Sequence, residues 1–371
     1  MIPFCDFFLI FFSDTKLTQQ LRARLVTMAA EFPELNIVLF DVDGDNLTKS
    51  NKDSASGGQQ DSSEDSASHE KTSAAEWRRE SMKHILDTVL GKQLPNLFFL
   101  CQDSIDKKKH EILVEKLGHG SADLPDSKTA KPAEAGVYYG SKPSQGVGYN
   151  VEFVSAEILE KVELSMRLTR DDPFLYLKGR TRLVACVLTP QGGTAGSKIL
   201  LVSWHGPHKT KNPDTTVRLD SKEAKRICFL ELVHFLDRLK QDQSCHVVII
   251  GGGYNWPARE ARKELDRISR VEGEELDRIG RVEGVVAADY TITTDRRHLG
   301  DRGMIDYIIY WPKDSIQQIT ANVECGDYRR ERPRPFNHPI VRYQVKLNDL
   351  ATAMAGMRLS DPPQGETPPA E

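Results

Sequence analysis

Short apolar runs that stop abruptly at glycine, histidine or a single carboxylate limit most strongly what this chain can fold into. NIVLFDV (36–42), NLFFLC (96–101), RLVACVLT (182–189), KILLVSW (198–204), HVVIIGG (246–252), IDYIIYW (305–311) and IVRYQVKL (340–347) each have strand length and end at turn-forming or polar residues. VVAADYTI (285–292) and IQQITANV (316–323) read the same way. Helical spacing is rarer: it predicts helices over 16–32, over 77–90 and after Asp220, where Ile227, Leu230, Val233, Leu236 and Leu239 form one apolar face. Asp220 and Glu223 have the spacing of a capping box for that last helix. Many strands, few helices and mixed connections predict a layered α+β sandwich.

Composition narrows the partners. Among 371 residues, 50 lysines and arginines nearly balance 54 aspartates and glutamates, for a net charge of −4. Such a chain has no global attraction to nucleic acid, so any such binding must come from local basic clusters. YRRERPRP (328–335), TTDRRHLGDR (293–302) and HKTK (208–211) are those clusters, and each adjoins a strand-end motif. Six scattered cysteines without a CxxC pair predict buried free thiols in a reducing compartment and no zinc site. The opening MIPFCDFFLIFF carries Asp6 and no preceding Lys or Arg, which argues against a signal peptide, and no run has the length of a membrane span. The expectation is an intracellular protein, cytoplasmic or nuclear, with no membrane partner.

Three polar stretches predict disorder: an insert at 45–74, a linker at 119–135 and a tail at 351–371. The organisation expected is an apolar N-terminal segment at 1–35, one domain over 36–350 interrupted by the insert and linker, then the tail. A tandem duplication, ELDRISRVEGE followed by ELDRIGRVEGV (264–285), has a period of eleven residues and is too short an array for a solenoid.

Chemistry-bearing residues fall at the ends of predicted strands. LVSWHGP (201–207) delivers His205, and VVIIGGGYNWP (247–257) delivers three glycines and Asn255. MIDYIIY (304–310) delivers Asp306, and FNHPIVRYQV (336–345) delivers Asn337 and His338. Three glycines at a strand end can make a tight turn, or imitate a dinucleotide-binding loop; the latter needs a further glycine where Trp256 stands.

Taken in this order, the four motifs resemble those of the endonuclease/exonuclease/phosphatase family, deoxyribonuclease-I-like phosphoesterases whose strands end in THL-like, GDFN, ID-Y and SDH sequences. The resemblance spans roughly residues 75–348. It implies a four-layer α/β/β/α sandwich of two mixed sheets flanked by helices, which hydrolyses phosphoesters with Mg²⁺. Nucleic acid or a phosphorylated small molecule is the implied ligand. His338 is then the base or phosphate contact, Asp306 its orienter, and His205 and Asn255 the donors to phosphoryl oxygens.

The departures from the family pattern matter as much. GDFN has become GGYN, placing Gly253 where a catalytic carboxylate belongs, and SDH has become FNH, placing Asn337 at another aspartate. The metal-binding glutamate matches Gln102 by spacing from Pro95, or Asp103 after a slip of one residue. Asp41 matches the first-strand asparagine.

A general base contributes about 10²–10⁴-fold. Phosphoester hydrolysis demands on the order of 10¹⁷-fold or more. Mg²⁺ is usually held by one or two carboxylates. The expectation is a weakened or inactive phosphoesterase. The alternative is a non-catalytic binding or scaffold protein, with residues 1–118 similar to a thioredoxin-like domain that lacks its CxxC.

Overall fold

The computed structural model describes residues 32–42, 79–122, 124, 132–140, 148–165, 182–191, 198–207, 221–268, 305–312, 315–324, 338 and 340–348. The stretches 1–31, 45–74 and 351–371, the three basic clusters, the strand expected at 285–292, most of the eleven-residue repeat and the candidate ligand Asn337 lie outside the described residues.

Two mixed sheets form the centre. The first has six strands in the order β10-β11-β1-β2-β4-β3. These are β1 (Leu35–Asp41), β2 (Leu97–Ile105), β3 (Gly118–Ala122), β4 (Ala133–Gly140), β10 (Ile316–Val323) and β11 (Val341–Leu347). The second has five strands in the order β5-β6-β7-β8-β9: β5 (Tyr149–Phe153), β6 (Leu183–Pro190), β7 (Ile199–His205), β8 (Val247–Gly253) and β9 (Asp306–Trp311). Strands β1, β7, β8 and β9 are buried at every position, which is why their sequences are apolar runs rather than alternating ones.

The apolar side chains sort into three layers of core. Ile37, Leu39, Phe98, Leu100, Leu201, Ile249, Ile308 and Tyr343 fill the space between the sheets. Val38, Phe40, Phe99 and Cys101 point the other way, against Met82 and Leu86 of helix α1 (79–90) and Leu113 of helix α2 (Lys107–Leu117). Val202, Trp204, Val248 and Ile250 pack on Leu232, Leu236 and Leu239 of α4 (Ser221–Asp242) and Ala261 of α5 (Ala258–Ile268). Ile158 and Leu159 of α3 (Ala156–Ser165) join that layer. The result is the four-layer α/β/β/α sandwich.

The period-2 alternation of inward and outward residues in β1 and β2 lets each strand serve two cores at once. At about 25 cal/mol per Å² of apolar surface removed from water, such double burial is the main stabilising term. Cys101, Cys186, Cys228 and Cys245 are buried free thiols, as their apolar neighbours predict.

Two sequence expectations change. Residues 119–122 and 133–135 of the predicted linker are strand: β3 and β4 form an antiparallel pair, and β4 then pairs with β2. Backbone pairing and the tight fit of Gly120 and Gly136 against the Tyr138 ring make strands of a segment whose composition reads as loop. A self-contained thioredoxin-like unit is also excluded for the described part of 1–118. β1 lies between β2 and β11, paired Leu35↔Val345 to Leu39↔Val341, so it is a central strand of a sheet completed by the C-terminal segment. Glu223 accepts hydrogen bonds from Arg226 at 2.6 and 2.8 Å, while Asp220 lies outside the described residues.

The glycines of β8 have separate reasons. A Cβ on Gly251 would press on Leu39 and Leu100 of the facing sheet, at 2.7 and 2.8 Å. Gly252 has φ +152° and a Cβ there would stand 1.9 Å from Trp204 O, so only glycine fits. Gly253 is less constrained: a Cβ there would meet no backbone atom, only the Asp306 carboxylate at 3.1 Å and the His205 ring at 3.7 Å.

Candidate functional site

Asp41 ends β1, His205 ends β7, Gly253 ends β8 and Asp306 opens the antiparallel β9, so the sheet topology delivers all four to one rim of the sandwich. In register, His205 pairs with Gly253 and Gly253 with Asp306. His338, just before β11, joins them through a 2.6 Å hydrogen bond between its Nδ1 and Asp306 Oδ2. The other ring nitrogen, Nε2, faces Asp41 Oδ2 at 3.6 Å. One imidazole thus lies between two buried carboxylates.

Burial pushes Asp41 up to about 6; the Asp306 and Asp103 carboxylates add to this, and His338 and His205 oppose it. Asp306 Oδ1 is buried and has no hydrogen-bond partner. It faces the gap left by Gly253, where a Cβ would stand 3.1 Å from Oδ1 and 3.7 Å from His205 Cδ2.

A second network adjoins the first. His205, 2% exposed, places Nδ1 3.1 Å from Glu134 Oε2. Arg182 holds the same carboxylate oxygen at 2.7 Å and donates to the carbonyls of His205 and Gly206, each at 3.1 Å. Asn255, in the left-handed region at φ 52°, donates from Nδ2 to Gly206 O at 2.7 Å and stands 3.4 Å from His205 Nε2. Lys225 Nζ donates to Asn255 O at 2.9 Å. A non-glycine residue in this backbone region costs energy and persists where its surroundings hold it, as they do here.

The structure therefore brings His205, Asn255, Asp306 and His338 to one place, together with Asp41. Glu134 and Arg182 were not among the sequence candidates. Glu134 falls in a segment with a linker's composition, and Arg182 stands at the start of an apolar run and carries no motif of its own.

The residues matched to the metal ligands behave differently. Gln102 is 1% exposed, and its Nε2 donates to Leu100 O at 2.7 Å and to Ser203 Oγ at 3.2 Å. Ser203 in turn donates to Cys101 O at 3.1 Å, so Gln102 ties β2 to β7 across the sandwich. Its amide N–H is a donor to a carbonyl, which a carboxylate cannot be. Asp103 sits in the irregularity that follows Gln102, at φ 61°, and accepts from Ser104 Oγ at 3.1 Å.

Gln102 is a neutral amide already engaged in the interior, and Asp103 supplies a single carboxylate, where Mg²⁺ is usually held by one or two together with waters. Gln102, which the resemblance matches to the metal-binding glutamate, has no carboxylate to offer that ion. Among the described residues, the ligand atoms that do converge are those of Asp41, Asp306 and His338, within 4.8 Å of one another.

The class this fold and its strand-end residues define is the four-layer sandwich that the sequence resemblance implies. Solved structures similar to it in fold include the endonuclease/exonuclease/phosphatase from Bacteroides vulgatus, at 11% identity and TM-score 0.47, covering 85% of this chain and 100% of that one. The human Nocturnin catalytic domain with bound sulfate anion is similar at 12% identity and TM-score 0.45, covering 86% and 97%. ANGEL2, a 2′,3′-cyclic phosphatase solved in complex with adenosine-2′,3′-vanadate, is similar at 10% identity and TM-score 0.44, covering 85% and 97%. No family model matches the chain, and no curated protein matches it in sequence.

Proposed function

We propose that the chain is a phosphoesterase-type domain that retains a ligand site at its strand-end rim but hydrolyses phosphoesters weakly or not at all. The observation carrying this reading is the gap at Gly253: His205, Asp306 and His338 stand around a place where the resembling family has a carboxylate and this chain has none. Asp306 fixes the His338 ring by taking Nδ1–H, which directs Nε2 at the ligand space. Asp41 beside Nε2 then opposes the approach of an anionic phosphoryl group. Glu134 and Arg182 lock His205, and Asn255 is held to the Gly206 carbonyl, so these donors are fixed in place.

Gln102, committed to the interior, is no ligand for Mg²⁺ in this reading, which weakens metal-dependent hydrolysis. In this reading the ligand is nucleic acid or a phosphorylated small molecule. Among the described residues, no helix is long and apolar enough to cross a membrane.

The test is a phosphodiesterase and phosphomonoesterase assay in Mg²⁺ or Mn²⁺, run beside calorimetric titration with a mononucleotide. The expected outcome is turnover near background, with nucleotide binding weakened by His205→Ala. Strong turnover that survives His338→Ala would overturn the assignment. Failure of any nucleotide or oligonucleotide to bind would favour a protein-binding scaffold.

A further inference from the structure

Asp41, His338 and Asp306 have the makings of a metal site, but at a different place and for a different ion from the Mg²⁺ the resemblance implies. Asp41 Oδ2 and His338 Nε2 are 3.6 Å apart, too far for a hydrogen bond. It is close to the roughly 3.4 Å edge between two ligand atoms bound to one tetrahedral ion at about 2.0–2.1 Å. On the far side of the ring, Nδ1–H is held by Asp306 Oδ2 at 2.6 Å. Metal-binding histidines need that arrangement: a carboxylate on one nitrogen fixes the tautomer and raises the basicity of the other.

Charge points the same way. Asp41 is 7% and Asp306 8% exposed, and Asp306 Oδ1 is fully enclosed without a donor. A divalent cation beside two buried carboxylates would be attracted by both in a setting that water screens poorly.

Donor chemistry selects the ion. Mg²⁺ prefers an all-oxygen octahedron and keeps its waters, whereas an imidazole nitrogen with carboxylate oxygens suits Zn²⁺ and its neighbours in the transition series.

We propose that Asp41, Asp306 and His338 form a site for a divalent transition-metal ion, with Zn²⁺ as its type, at the ends of β1 and β9 rather than at the Gln102 position. This rests on reading the strand-end cluster as the functional site, but not on phosphate binding. Its consequence is that His338 Nε2 cannot hold the ion and act as a general base at once, so occupancy suppresses base chemistry at this histidine.

The experiment is a substrate-free titration of the full chain with Co²⁺, followed by visible absorption, with Zn²⁺ as competitor. Tetrahedral ligand-field bands are expected to saturate at one equivalent, to be displaced by one equivalent of Zn²⁺ and to resist excess Mg²⁺. His338→Gln and Asp41→Asn should abolish the bands, and Asp306→Asn should weaken affinity by about 10–100-fold. The His338 ring is partly exposed, so His338→Gln serves as the variant least disturbing to the fold, checked by circular dichroism.

Bands that persist in His338→Gln and Asp41→Asn would overturn the proposal, as would loss with Asp103→Asn alone, which places the ion at the family's position. Sulfur-to-cobalt charge-transfer bands, or no bands at all, would overturn it equally. A chain that binds Zn²⁺ here but binds no nucleotide keeps this site and loses the phosphoesterase reading. Nucleotide binding without metal binding does the reverse.

Discussion

Gly253 pairs with Asp306 across the β8–β9 ladder, and a Cβ on Gly253 would stand 3.1 Å from Asp306 Oδ1. Restoring the family carboxylate is therefore not a simple repair. Gly253→Asp adds a carboxylate beside the buried Asp306 Oδ1, which has no hydrogen-bond donor of its own, so like charges meet on that side of Asp306 while His338 holds the other. The expected result is a melting temperature a few degrees below the parent chain in chelator, recovered by millimolar Mn²⁺ to a larger extent than in the parent. Differential scanning fluorimetry with and without the cation reads this directly.

Gln102 allows the converse experiment. Gln102→Glu, the change to the glutamate that the sequence resemblance implies, removes the N–H groups that satisfy Leu100 O and Ser203 Oγ and buries an unpaired charge between the sheets. Losing such a buried hydrogen bond costs about 1–3 kcal/mol, and more when charge is involved. Urea unfolding should show a lowered midpoint for Gln102→Glu and a smaller loss for Gln102→Met, which carries no charge into the interior.

These two positions also mark how far the sequence could be read. Apolar runs identify β1, β2 and β6 to β9 because strands buried largely on both faces cannot hide their composition, whereas β11 is fully buried only at every second position. The site's histidines and Asp306 are legible because each borders such a run. β3 and β4 are not: Gly118–Ala122 is short and polar, and Ala133–Gly140 follows a stretch with a linker's composition, so its pairing with β2 is a tertiary fact. Glu134 is hidden with it. The Asp41–His338 approach joins residues almost three hundred positions apart and has no local signal at all. Gln102 reads as a weakened metal ligand in the sequence, and only its partners make it a structural tie.

His234 on α4 makes stability depend on pH. Burial holds its imidazole down to about 4, against the opposing influence of Asp237. Between that value and the ordinary 6.5 the unfolded chain binds a proton that the native chain does not, so stability rises with pH across this window. The contribution is complete above about 6.5 and is lost as pH falls toward 4. His234→Gln is expected to flatten part of the acid limb of a denaturation series between pH 4 and 6.5. Some slope should persist, since burial lowers His110 and His246 in the same direction. An unchanged slope would show that His234 is solvated in the native chain.

Glu324 is the buried charge on which the far edge of the first sheet depends. Its side chain is 0% exposed and accepts from Arg342 Nε on one oxygen and from Lys92 Nζ on the other. Arg342 NH1 also donates to Asn36 Oδ1 at 3.0 Å, and Asn36 Nδ2 to Pro95 O at 2.8 Å, so the network joins β11, β1 and the turn before β2. Removing one partner of a buried ion pair typically costs about 3–5 kcal/mol, because the remaining charge stays buried. Arg342, whose side chain is 13% exposed, should therefore be costly to replace with Met. Lys92, at 42%, should cost much less, since water can take its place. Pairing Arg342→Met with Glu324→Gln should restore most of the loss by removing the stranded charge. A double-mutant cycle by chemical denaturation measures the coupling, and additive losses would mean that the two side chains act independently.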